Sequence, residues 1–341
     1  MMEQQNPYIK QFPDLMRDKK ILYVHGFGSS GRSGTVDRIR QALPVATVVA
    51  PDLPIHPQEA MDLLHKVCEQ ERPDLIIGTS MGGMYTEMLY GFDRIVINPA
   101  FNIADTMSEH GLTGKQQFFS PRQDGVQEFY VDKPLVKEYR RVSEGNFAHA
   151  GDPEEQGHVI GLFGDEDQLV HTYDLFRQHY AKAARFHGEH RMNDKSFMHS
   201  ILPVIRWIDD RQEHRERPIV YIDINTLVDP WQKPTASSQK AVRTLLETYQ
   251  LYFVAPSEST LHGTLAADGN TLETVTSWLY EYINVPAYAH TVFTQRKDLL
   301  YGDYLIDREK TGGMATLIHF GSDTFKTWEE IIEYFSRLGG Q

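Results

Sequence analysis

The sequence predicts an α/β protein made of two consecutive domains, each built on a parallel β-sheet covered by helices. Short apolar runs typical of buried strands alternate with amphipathic stretches of about 12 residues, as in strand–helix–strand units. The tract "DDRQEHRER" at residues 209–217 is almost entirely charged and ends at Pro218, after which the same alternation begins again. A chain of 341 residues also exceeds what one hydrophobic core usually serves. We therefore predict a first domain over residues 1–212 and a second over residues 213–341.

Apolar runs predict the strands of the first domain. They are "ILYV", "ATVVA", "LIIG", "RIVIN", "HVIGLFG" and "AARFHG". Segments such as "TVDRIRQAL" and "ILPVIRWIDD" have the apolar spacing of helices between them. The longest interruption, residues 100–157, is rich in Gly, Asp, Glu and Gln and predicts an insertion over one edge of the sheet.

The second domain repeats this pattern with a different set of strands. They are "IVYIDIN", "LYFVA", "HTVF", "YLID" and "TLIHF". The segment "TLETVTSWLYEYI" carries apolar residues at helical spacing, which predicts a helix. No internal repeat relates the two halves, so we expect two separate α/β domains.

Composition excludes several classes of partner and compartment. The formal net charge is −13, with 34 Lys plus Arg against 47 Asp plus Glu, a balance that repels nucleic-acid backbones and anionic membranes. The single cysteine, Cys68, lies on an apolar helical face and is expected to be buried, so no intramolecular disulfide can form. Because no signal-like segment or membrane-length apolar run is present, we expect a cytoplasmic protein with no nucleic-acid or membrane partner.

The stretch "DLIIGTSMGGMY" places a serine in a sharp turn. Gly78, Ser80 and Gly82 match the pattern G-x-S-x-G between a predicted strand and a helix-forming run, the context that this pattern requires. Glycines on both sides permit a turn so tight that larger side chains would collide, and the serine is forced outward. Its oxygen then lies near the positive end of the following helix, which favours the negative charge that develops in acyl transfer. Ser80 is therefore a candidate nucleophile.

Two main-chain amides are candidates for stabilising that negative charge. The strand "ILYV" runs directly into a glycine-rich loop that contains His25, Gly26, Phe27 and Gly28. The amide of Phe27, together with that of Met81, is predicted to form a two-donor oxyanion hole.

An acid and a histidine follow in the order Ser, Asp, His that this kind of fold uses. The stretch "GDEDQLV" follows the strand "HVIGLF" and places Asp167 at its carboxyl end, with Asp165 as the close competitor. His190 follows the last predicted strand of the domain, and the alternatives are His187 and His199. In this arrangement His190 takes the serine proton and Asp167 orients the imidazole, so ester hydrolysis through an acyl-serine is expected.

Residues 20–210 resemble the small bacterial α/β-hydrolase esterases of the YqiA/YcfP type. The resemblance rests on "YVHGFGSSGRS", "IIGTSMGGMYTEML", "VINPAFNIADTM", "LTGKQQF", "GDEDQLV" and "GEHRM". It implies an α/β-hydrolase fold and a carboxylesterase that acts on short acyl esters without a cofactor. The implied triad is Ser80, an aspartate of the GDED loop and His190. The long insertion at residues 100–157 departs from the family, so the resemblance does not extend to substrate preference.

Polar residues at the ends of second-domain strands form a set suited to phosphate chemistry. Asp223 ends an apolar strand, and Ser257 follows the next. Lys297 supplies a cation beside Arg296, while "YGDYLIDR" supplies Asp303 and Asp307. Carboxylates suit Mg²⁺, and a hydroxyl with a cation suits a phosphoryl group.

Residues 218–337 resemble the haloacid dehalogenase (HAD) superfamily, and "KDLLYGDYLID" with "HFGSDTFKTWEEII" is closest to its 5'(3')-deoxyribonucleotidase-like branch. The resemblance implies a HAD-like Rossmannoid fold. The implied phosphate site is Asp223, Asn225, Ser257 and Lys297, and the implied Mg²⁺ ligands are Asp223, Asp303 and Asp307. The chain departs where the family has a second aspartate and a glycine, since it has Asn225 and Thr226 there.

These departures decide how the second domain is interpreted. An amide at position 225 can neither protonate a leaving group nor activate water. Arg308 follows Asp307 where two adjacent acids are usual, and the short chain between Asp223 and Ser257 leaves little room for a substrate cap. We therefore expect a serine esterase that acts on a small-molecule ester, with an impaired phosphatase-like domain that packs on it or binds a phosphorylated ligand. The alternatives are an esterase combined with a Mg²⁺-dependent nucleotidase, or a binding protein without catalysis.

Overall fold

A computed structural model describes residues 14–186, 188–228, 233–256, 271–283 and 290–338. The chain divides into two units, Met1–Asp209 and Asp210–Gln341. This boundary lies three residues before the one predicted from the charged tract, inside the helix Leu202–Gln212.

The first unit is built on a six-stranded sheet. Its strands are β1 (Lys20–Val24), β2 (Thr47–Val49), β3 (Leu75–Thr79), β4 (Arg94–Ile97), β7 (Val159–Gly164) and β8 (Ala183–Phe186). They lie in the order β2-β1-β3-β4-β7-β8, and every neighbouring pair is parallel. Its helices are α1 (Gly34–Ala42), α2 (Pro57–Glu71), α3 (Met81–Glu87), α4 (Ile103–Glu109), α5 (Lys133–Ser143), α6 (Pro153–His158), α7 (Tyr173–His179), α8 (Asp194–Ser196) and α9 (Leu202–Gln212).

The central strands carry apolar side chains on both faces, which explains why helices cover the sheet on both sides. All four residues of β4 are buried, and so are the first four residues of β3. Because the strands are parallel, their carboxyl ends meet at one edge of the sheet, where polar side chains from distant parts of the sequence come together. Cys68 is 4% exposed within α2, as its helical position predicts.

The predicted insertion lies between the neighbouring strands β4 and β7. It contains α4, the antiparallel pair β5 (Gly114–Gln117) and β6 (Glu128–Val131), and then α5 and α6. A buried network attaches its last part to the sheet, because Arg94 forms an ion pair with Glu155 and donates to the Glu87 carbonyl. We call residues 114–131 the hairpin segment.

The hairpin segment is fastened to loops at the carboxyl edge of the sheet. The Phe119 amide donates to the Gly28 carbonyl at 2.7 Å. Asp52, which follows β2, accepts from the amides of Gly31 at 2.8 Å and Gln123 at 2.6 Å. The insertion therefore lies over the edge at which the candidate catalytic residues are found.

The second unit has a five-stranded parallel sheet. Its strands are β9 (Ile219–Asp223), β10 (Gln250–Ala255), β11 (Thr291–Phe293), β12 (Tyr304–Asp307) and β13 (Thr316–His319). Their order is β11-β10-β9-β12-β13, so the chain starts at the centre and builds outward in both directions, as in doubly wound folds. Its helices are α10 (Ala236–Thr248), α11 (Thr271–Tyr282) and α12 (Trp328–Leu338).

The predicted fold class is confirmed in both units, since each contains a parallel sheet with helices. Between β9 and β10 the described residues form a short 3-10 turn, Ile224–Thr226, and α10. Among the helices of the described ranges, none combines the length and apolar character needed to cross a bilayer.

Candidate functional site

Ser80 lies at the turn between β3 and α3 in a strained backbone conformation. Its φ is 56° and its ψ is −121°, a region that residues with a side chain rarely adopt. The flanking glycines make the turn fit, because a Cβ added at Gly78 would overlap Thr86 and one at Gly82 would overlap the Val24 carbonyl. The sharp turn predicted from G-x-S-x-G is therefore present, with the serine at its outer corner.

A hydrogen-bond chain links Ser80 to an imidazole and a carboxylate. His190 Nε2 lies 3.0 Å from Ser80 Oγ, and His190 Nδ1 lies 2.7 Å from Asp167 Oδ2. With a carboxylate beside Nδ1, that nitrogen carries the proton and donates it, which leaves Nε2 as the acceptor for the serine hydroxyl. The imidazole therefore has the tautomer that a general base needs.

Asp167 is held in its ionised form by several donors. Its Oδ1 accepts from the amides of Leu169 at 2.8 Å and Val170 at 3.0 Å. Burial by itself raises the pKa of Asp167, but the hydrogen bond and charge of His190 and these two amides outweigh burial, so that its pKa lies below the usual value. The side chain is 2% exposed, so a buried carboxylate faces the imidazole.

The structure separates the two candidate acids. Asp165, the competitor from the same loop, is exposed and accepts from the Gly188 amide at 3.0 Å, while Asp167 contacts His190. Of the competing histidines, His187 and the side chain of His199 lie outside the described part of the chain. Sequence alone left both choices open because the alternatives lie within a few residues of each other.

The predicted oxyanion-hole amides belong to two loops that meet beside Ser80. A Cβ placed on Gly26 would lie 3.3 Å from the Ser80 Cβ, so the loop after β1 packs directly against the turn. Met81 is the first residue of α3, where an amide has no partner inside its helix. Within the described residues, neither the Phe27 amide nor the Met81 amide donates to another protein group.

His25 has a structural role that was not predicted from the sequence. Its Nε2 accepts from the Leu53 amide at 3.1 Å, so Nδ1 carries the proton and donates to the Gly26 carbonyl at 2.9 Å. Burial lowers the pKa of His25 to about 4, with Arg122 contributing in the same direction and Asp52 opposing it. A neutral imidazole therefore holds the loop after β1, which carries Phe27 and which we call the oxyanion loop, against the loop after β2.

Asn98 is a second residue whose role was not predicted from the sequence. It follows β4 with a φ of 44°. Its side-chain nitrogen donates to the carbonyls of Glu189 at 3.2 Å and His190 at 3.1 Å, while its side-chain oxygen accepts from the Gly164 amide at 2.7 Å. One amide side chain thus joins the loops that carry the candidate acid and base. The motif "INPA" was its only signal in the sequence.

The second unit has an ion cluster at the carboxyl ends of β9 and β12. Lys297 Nζ lies 2.6 Å from Asp223 Oδ2 and 2.9 Å from Asp307 Oδ2, and both carboxylates are 2% exposed. Burial raises the pKa of Asp223. Burial alone would lower the pKa of Lys297, but the two carboxylates outweigh it and raise that pKa above its ordinary value. The cluster therefore contains a permanent ammonium between two carboxylates.

The remaining predicted phosphate and metal residues do not gather around this cluster. Asp303 precedes β12 at the amino-terminal edge of the sheet, where its carboxylate accepts from the Ile219 amide at 2.8 Å. The assignment of Asp303 to the same metal site therefore does not fit, because it lies at the other end of the strand that carries Asp307. The Asn225 carbonyl accepts from Arg308 at 3.1 Å. Ser257 lies outside the described residues.

A Mg²⁺ ion does not fit the side chains that the HAD resemblance nominates. Mg²⁺ requires a near-octahedral set of oxygen ligands. The carboxylates of Asp223 and Asp307 converge on the Lys297 ammonium, and the guanidinium of Arg308 takes the neighbouring carbonyl of Asn225. Among the described residues, no group of three or more His, Cys, Asp or Glu side chains is arranged to hold a metal. Two protein cations thus occupy the surroundings that a dication would need.

Together these features define the class of each unit. A parallel sheet, a strained serine turn after a central strand and a Ser, Asp, His order define the first unit as an α/β-hydrolase domain. The second is a doubly wound α/β domain whose strand-end residues form an ion cluster.

Two sequence comparisons found similar proteins. Residues 20–139 match the model of UPF0227, which is described as an uncharacterised protein family. The chain is also 36% identical over 63 residues to a protein of Vibrio phage KVP40 that is provisionally named a 5'(3')-deoxyribonucleotidase. That match covers 17% of this chain and 37% of the relative, so the chain spans little more than a third of the relative's length. The two resemblances predicted from the sequence are thereby confirmed.

Several solved structures are similar to the chain at low identity. Est1E from Butyrivibrio proteoclasticus is 15% identical, and the match covers 58% of this chain and 88% of Est1E with a TM-score of 0.41. The peroxisomal α/β-hydrolase Lpx1 from Saccharomyces cerevisiae is 12% identical, with 58% and 77% covered and a TM-score of 0.31. The class assignment itself rests on the strand order and the serine turn.

Proposed function

We propose that the first domain is a serine esterase that hydrolyses short acyl esters of small molecules through an acyl-serine intermediate. The observation that carries this proposal is the continuous hydrogen-bond chain from Ser80 Oγ through His190 to Asp167, at 3.0 Å and 2.7 Å. A serine hydroxyl is a weak nucleophile by itself and needs a base within hydrogen-bond reach. His190 is in that position, and Asp167 keeps its tautomer.

In the first half of the reaction, Ser80 Oγ attacks the ester carbonyl while His190 Nε2 accepts the hydroxyl proton. The imidazolium that forms is stabilised by the ionised Asp167, which does not itself accept the proton. His190 then returns the proton to the departing alkoxide. In the second half, His190 Nε2 accepts a proton from a water molecule as its oxygen attacks the acyl-serine carbonyl. The bond between the acyl carbon and Ser80 Oγ then breaks, His190 returns the proton to Ser80 Oγ, and the carboxylic acid is released.

The negative charge on the carbonyl oxygen develops in front of the amides of Phe27 and Met81 in this proposal. Two main-chain donors that make no other hydrogen bond within the described residues need little rearrangement when the oxyanion forms. The Met81 amide also belongs to the first turn of α3, whose dipole favours negative charge. Loss of one such donor typically costs about 10²–10³ in kcat.

Hydrolysis of p-nitrophenyl esters of increasing acyl length, by wild type and Ser80→Ala, tests the proposal. We expect turnover in the wild type that falls by about 10³-fold or more in Ser80→Ala. Ser336→Ala, which changes an exposed serine of the second unit, serves as the matched control. If Ser80→Ala retains wild-type turnover, the triad assignment is wrong. If the wild type hydrolyses none of these esters, the esterase proposal fails.

A nucleotidase is the second candidate function, because part of the chain is similar to the phage protein described above. We infer instead that the second domain does not hydrolyse nucleotides, because its strand-end carboxylates are paired with Lys297 and residue 225 is an asparagine. Hydrolysis of nucleoside monophosphates with and without Mg²⁺ tests this inference. Mg²⁺-dependent turnover in the wild type that disappears in Asp223→Asn would contradict it.

A further inference from the structure

An aromatic ring of the hairpin segment lies next to the oxyanion loop. The Phe119 amide is bonded to the Gly28 carbonyl at 2.7 Å, and a ring carbon of Phe119 lies 2.9 Å from where a Cβ on Gly28 would be. Gly28 directly follows Phe27, whose amide is assigned to the oxyanion hole. The Phe119 residue remains 65% exposed. A ligand bound at Ser80 would therefore find an open aromatic surface close to its carbonyl group.

The same ring forms one wall of a cleft within the hairpin segment. The cleft has a volume of about 390 Å³ and is lined by residues 117–122 and 125–127. That volume is within the range of small-molecule sites, about 300–1,000 Å³. Phe118 and Val126 add apolar surface to its lining. The cleft is thus large enough for the apolar part of a small ester.

A guanidinium lies over the Phe119 ring. The Arg191 Cζ is 5.1 Å from the centroid of Phe119. Arg191 directly follows His190, the candidate base, in the chain. Among the described residues, no carboxylate lies within ion-pair distance of Arg191, although Glu189 precedes His190 in the same loop. Arg191 therefore presents a positive charge that no described carboxylate neutralises.

Arg122, the arginine that lines the cleft, is already paired with a carboxylate. Arg122 lines the cleft, but its guanidinium pairs with Asp124 at 2.9 Å and donates to the Leu53 carbonyl at 3.0 Å. The chain as a whole has a formal net charge of −13, which repels anions. An arginine without a carboxylate partner can attract an anion locally, whereas an arginine paired with a carboxylate cannot do so as strongly. A cation without a carboxylate partner among the described residues, next to the ring that contacts Gly28, is the feature that an anionic substrate would require.

We propose that the substrates of the esterase carry an anionic group, a carboxylate or a phosphate, that binds Arg191 while their apolar part packs on Phe119. This proposal rests on the proposed esterase function and specifies its substrate class. Arg191 then acts as a specificity-determining residue. Its planar guanidinium can stack on the ring and still donate hydrogen bonds at its edge.

The test compares matched charged and neutral esters. One pair, p-nitrophenyl hydrogen adipate and methyl p-nitrophenyl adipate, places the charge on the acyl side. A second pair, 4-butyryloxybenzoate and its methyl ester, places it on the alcohol side, and 4-butyryloxyphenyl phosphate replaces the carboxylate by a phosphate. For each substrate, kcat/KM is measured for wild type, Arg191→Gln, Arg191→Lys and the control Arg141→Gln, an exposed arginine of α5.

We expect Arg191→Gln to lower kcat/KM about 10-fold for the anionic member of at least one pair, with the neutral esters changed less than about threefold. Arg191→Lys should recover part of the loss, and Arg141→Gln should have no effect. Higher ionic strength should weaken the anion preference of the wild type and leave that of Arg191→Gln unchanged. The phosphate ester shows whether a phosphate is accepted in place of the carboxylate.

Two outcomes contradict the proposal, and they are distinguishable. If the neutral esters are hydrolysed in a Ser80-dependent way but Arg191→Gln leaves every charged-to-neutral ratio unchanged, the substrate class is wrong and the esterase function stands. If no ester is hydrolysed in a Ser80-dependent way, the esterase function itself fails, and the inference fails with it.

Discussion

Each of the two domains has a cluster of three polar side chains at the carboxyl ends of its strands, but the two clusters differ in whether a group remains free to react. In the first domain, hydroxyl, imidazole and carboxylate form a chain that ends at the partly buried serine of the turn, next to the loop that carries Phe27 and to the first residue of α3. In the second domain, the Lys297 ammonium lies between two buried carboxylates. The first arrangement can accept and return a proton, whereas the second satisfies its own charges.

This difference shows that strand topology alone does not determine chemistry. Both sheets are parallel, and both bring residues from distant parts of the sequence to their carboxyl edge, where sites of open α/β sheets are found. A reacting group needs a partner that changes its hydrogen bonds or charge during the reaction. In the ion cluster, any such change would leave a buried charge without its partner.

Replacement of the candidate acid should have the largest effect on the first site. Asp167→Asn keeps the size of the side chain but removes the charge that fixes the His190 tautomer, and such a change typically lowers kcat by about 10⁴-fold. Asp165→Asn is the matched control, because Asp165 belongs to the same loop and contacts the Gly188 amide instead of the imidazole. Steady-state hydrolysis of p-nitrophenyl butyrate measures both. Equal losses in the two variants would remove the distinction between these acids.

Removal of the central cation should destabilise the second domain and spare the first. Lys297→Met leaves the buried carboxylates of Asp223 and Asp307 facing each other, and loss of one partner of a buried pair costs about 3–5 kcal/mol. Denaturant unfolding followed by circular dichroism measures the loss, and ester hydrolysis reports on the first domain. Lys310→Met, at an exposed position, is the control.

The response of that variant to pH follows from the direction of the Asp223 shift. Burial raises the pKa of Asp223, and without the ammonium beside it the carboxylate should be still harder to ionise. A raised carboxyl pKa gives stability that is present at low pH and lost as pH rises through the folded-state pKa. The defect of Lys297→Met should therefore be largest near neutral pH and smaller in acid. A defect that grows in acid would contradict the ion-pair explanation.

The parts of this molecule that could be predicted from sequence were set by short stretches of chain. Strand–helix alternation gave both sheets, and G-x-S-x-G gave the serine turn because Gly78 and Gly82 are needed within the turn itself. Choices that depend on tertiary contacts were not available from sequence. Whether Asp165 or Asp167 reaches the imidazole depends on the conformation of the loop after β7. Asp303 and Asp307 lie at opposite ends of β12, and only the end that carries Asp307 belongs to the ion cluster with Lys297.

Acid should lower the free energy of unfolding of the first domain through His25. In Lys297→Met, by contrast, acid should reduce the loss of stability of the second domain. Burial lowers the pKa of His25 to about 4 from 6.5, so the unfolded chain takes up a proton between these values and the folded chain does not. Stability is therefore fully present above pH 6.5 and falls as pH decreases toward about 4, by about 3 kcal/mol.

A pair of histidine variants isolates this contribution. His25→Gln cannot gain a proton, so its free energy of unfolding should fall less steeply than that of the wild type as the pH decreases from 6.5 to about 4. His65→Gln, at an exposed position of α2, controls for the loss of a histidine. Unfolding free energies at several pH values give the slopes. Parallel slopes for wild type and His25→Gln would show that His25 is not kept neutral.

The smallest of these effects tests how the first site is held together, through a residue that contacts no reacting atom. Asn98 donates to the carbonyls of Glu189 and His190 and accepts from the Gly164 amide. Asn98→Asp keeps an acceptor for Gly164 but loses both donors, so His190 should be positioned less well. We expect kcat to fall about 10-fold to 100-fold with little change in KM, because small misplacements of a base reduce the chemical step. Asn102→Asp makes the same chemical change at an exposed position near Asn98. If the two variants have equal kcat, the loops after β7 and β8 hold the base in place without the hydrogen bonds of Asn98.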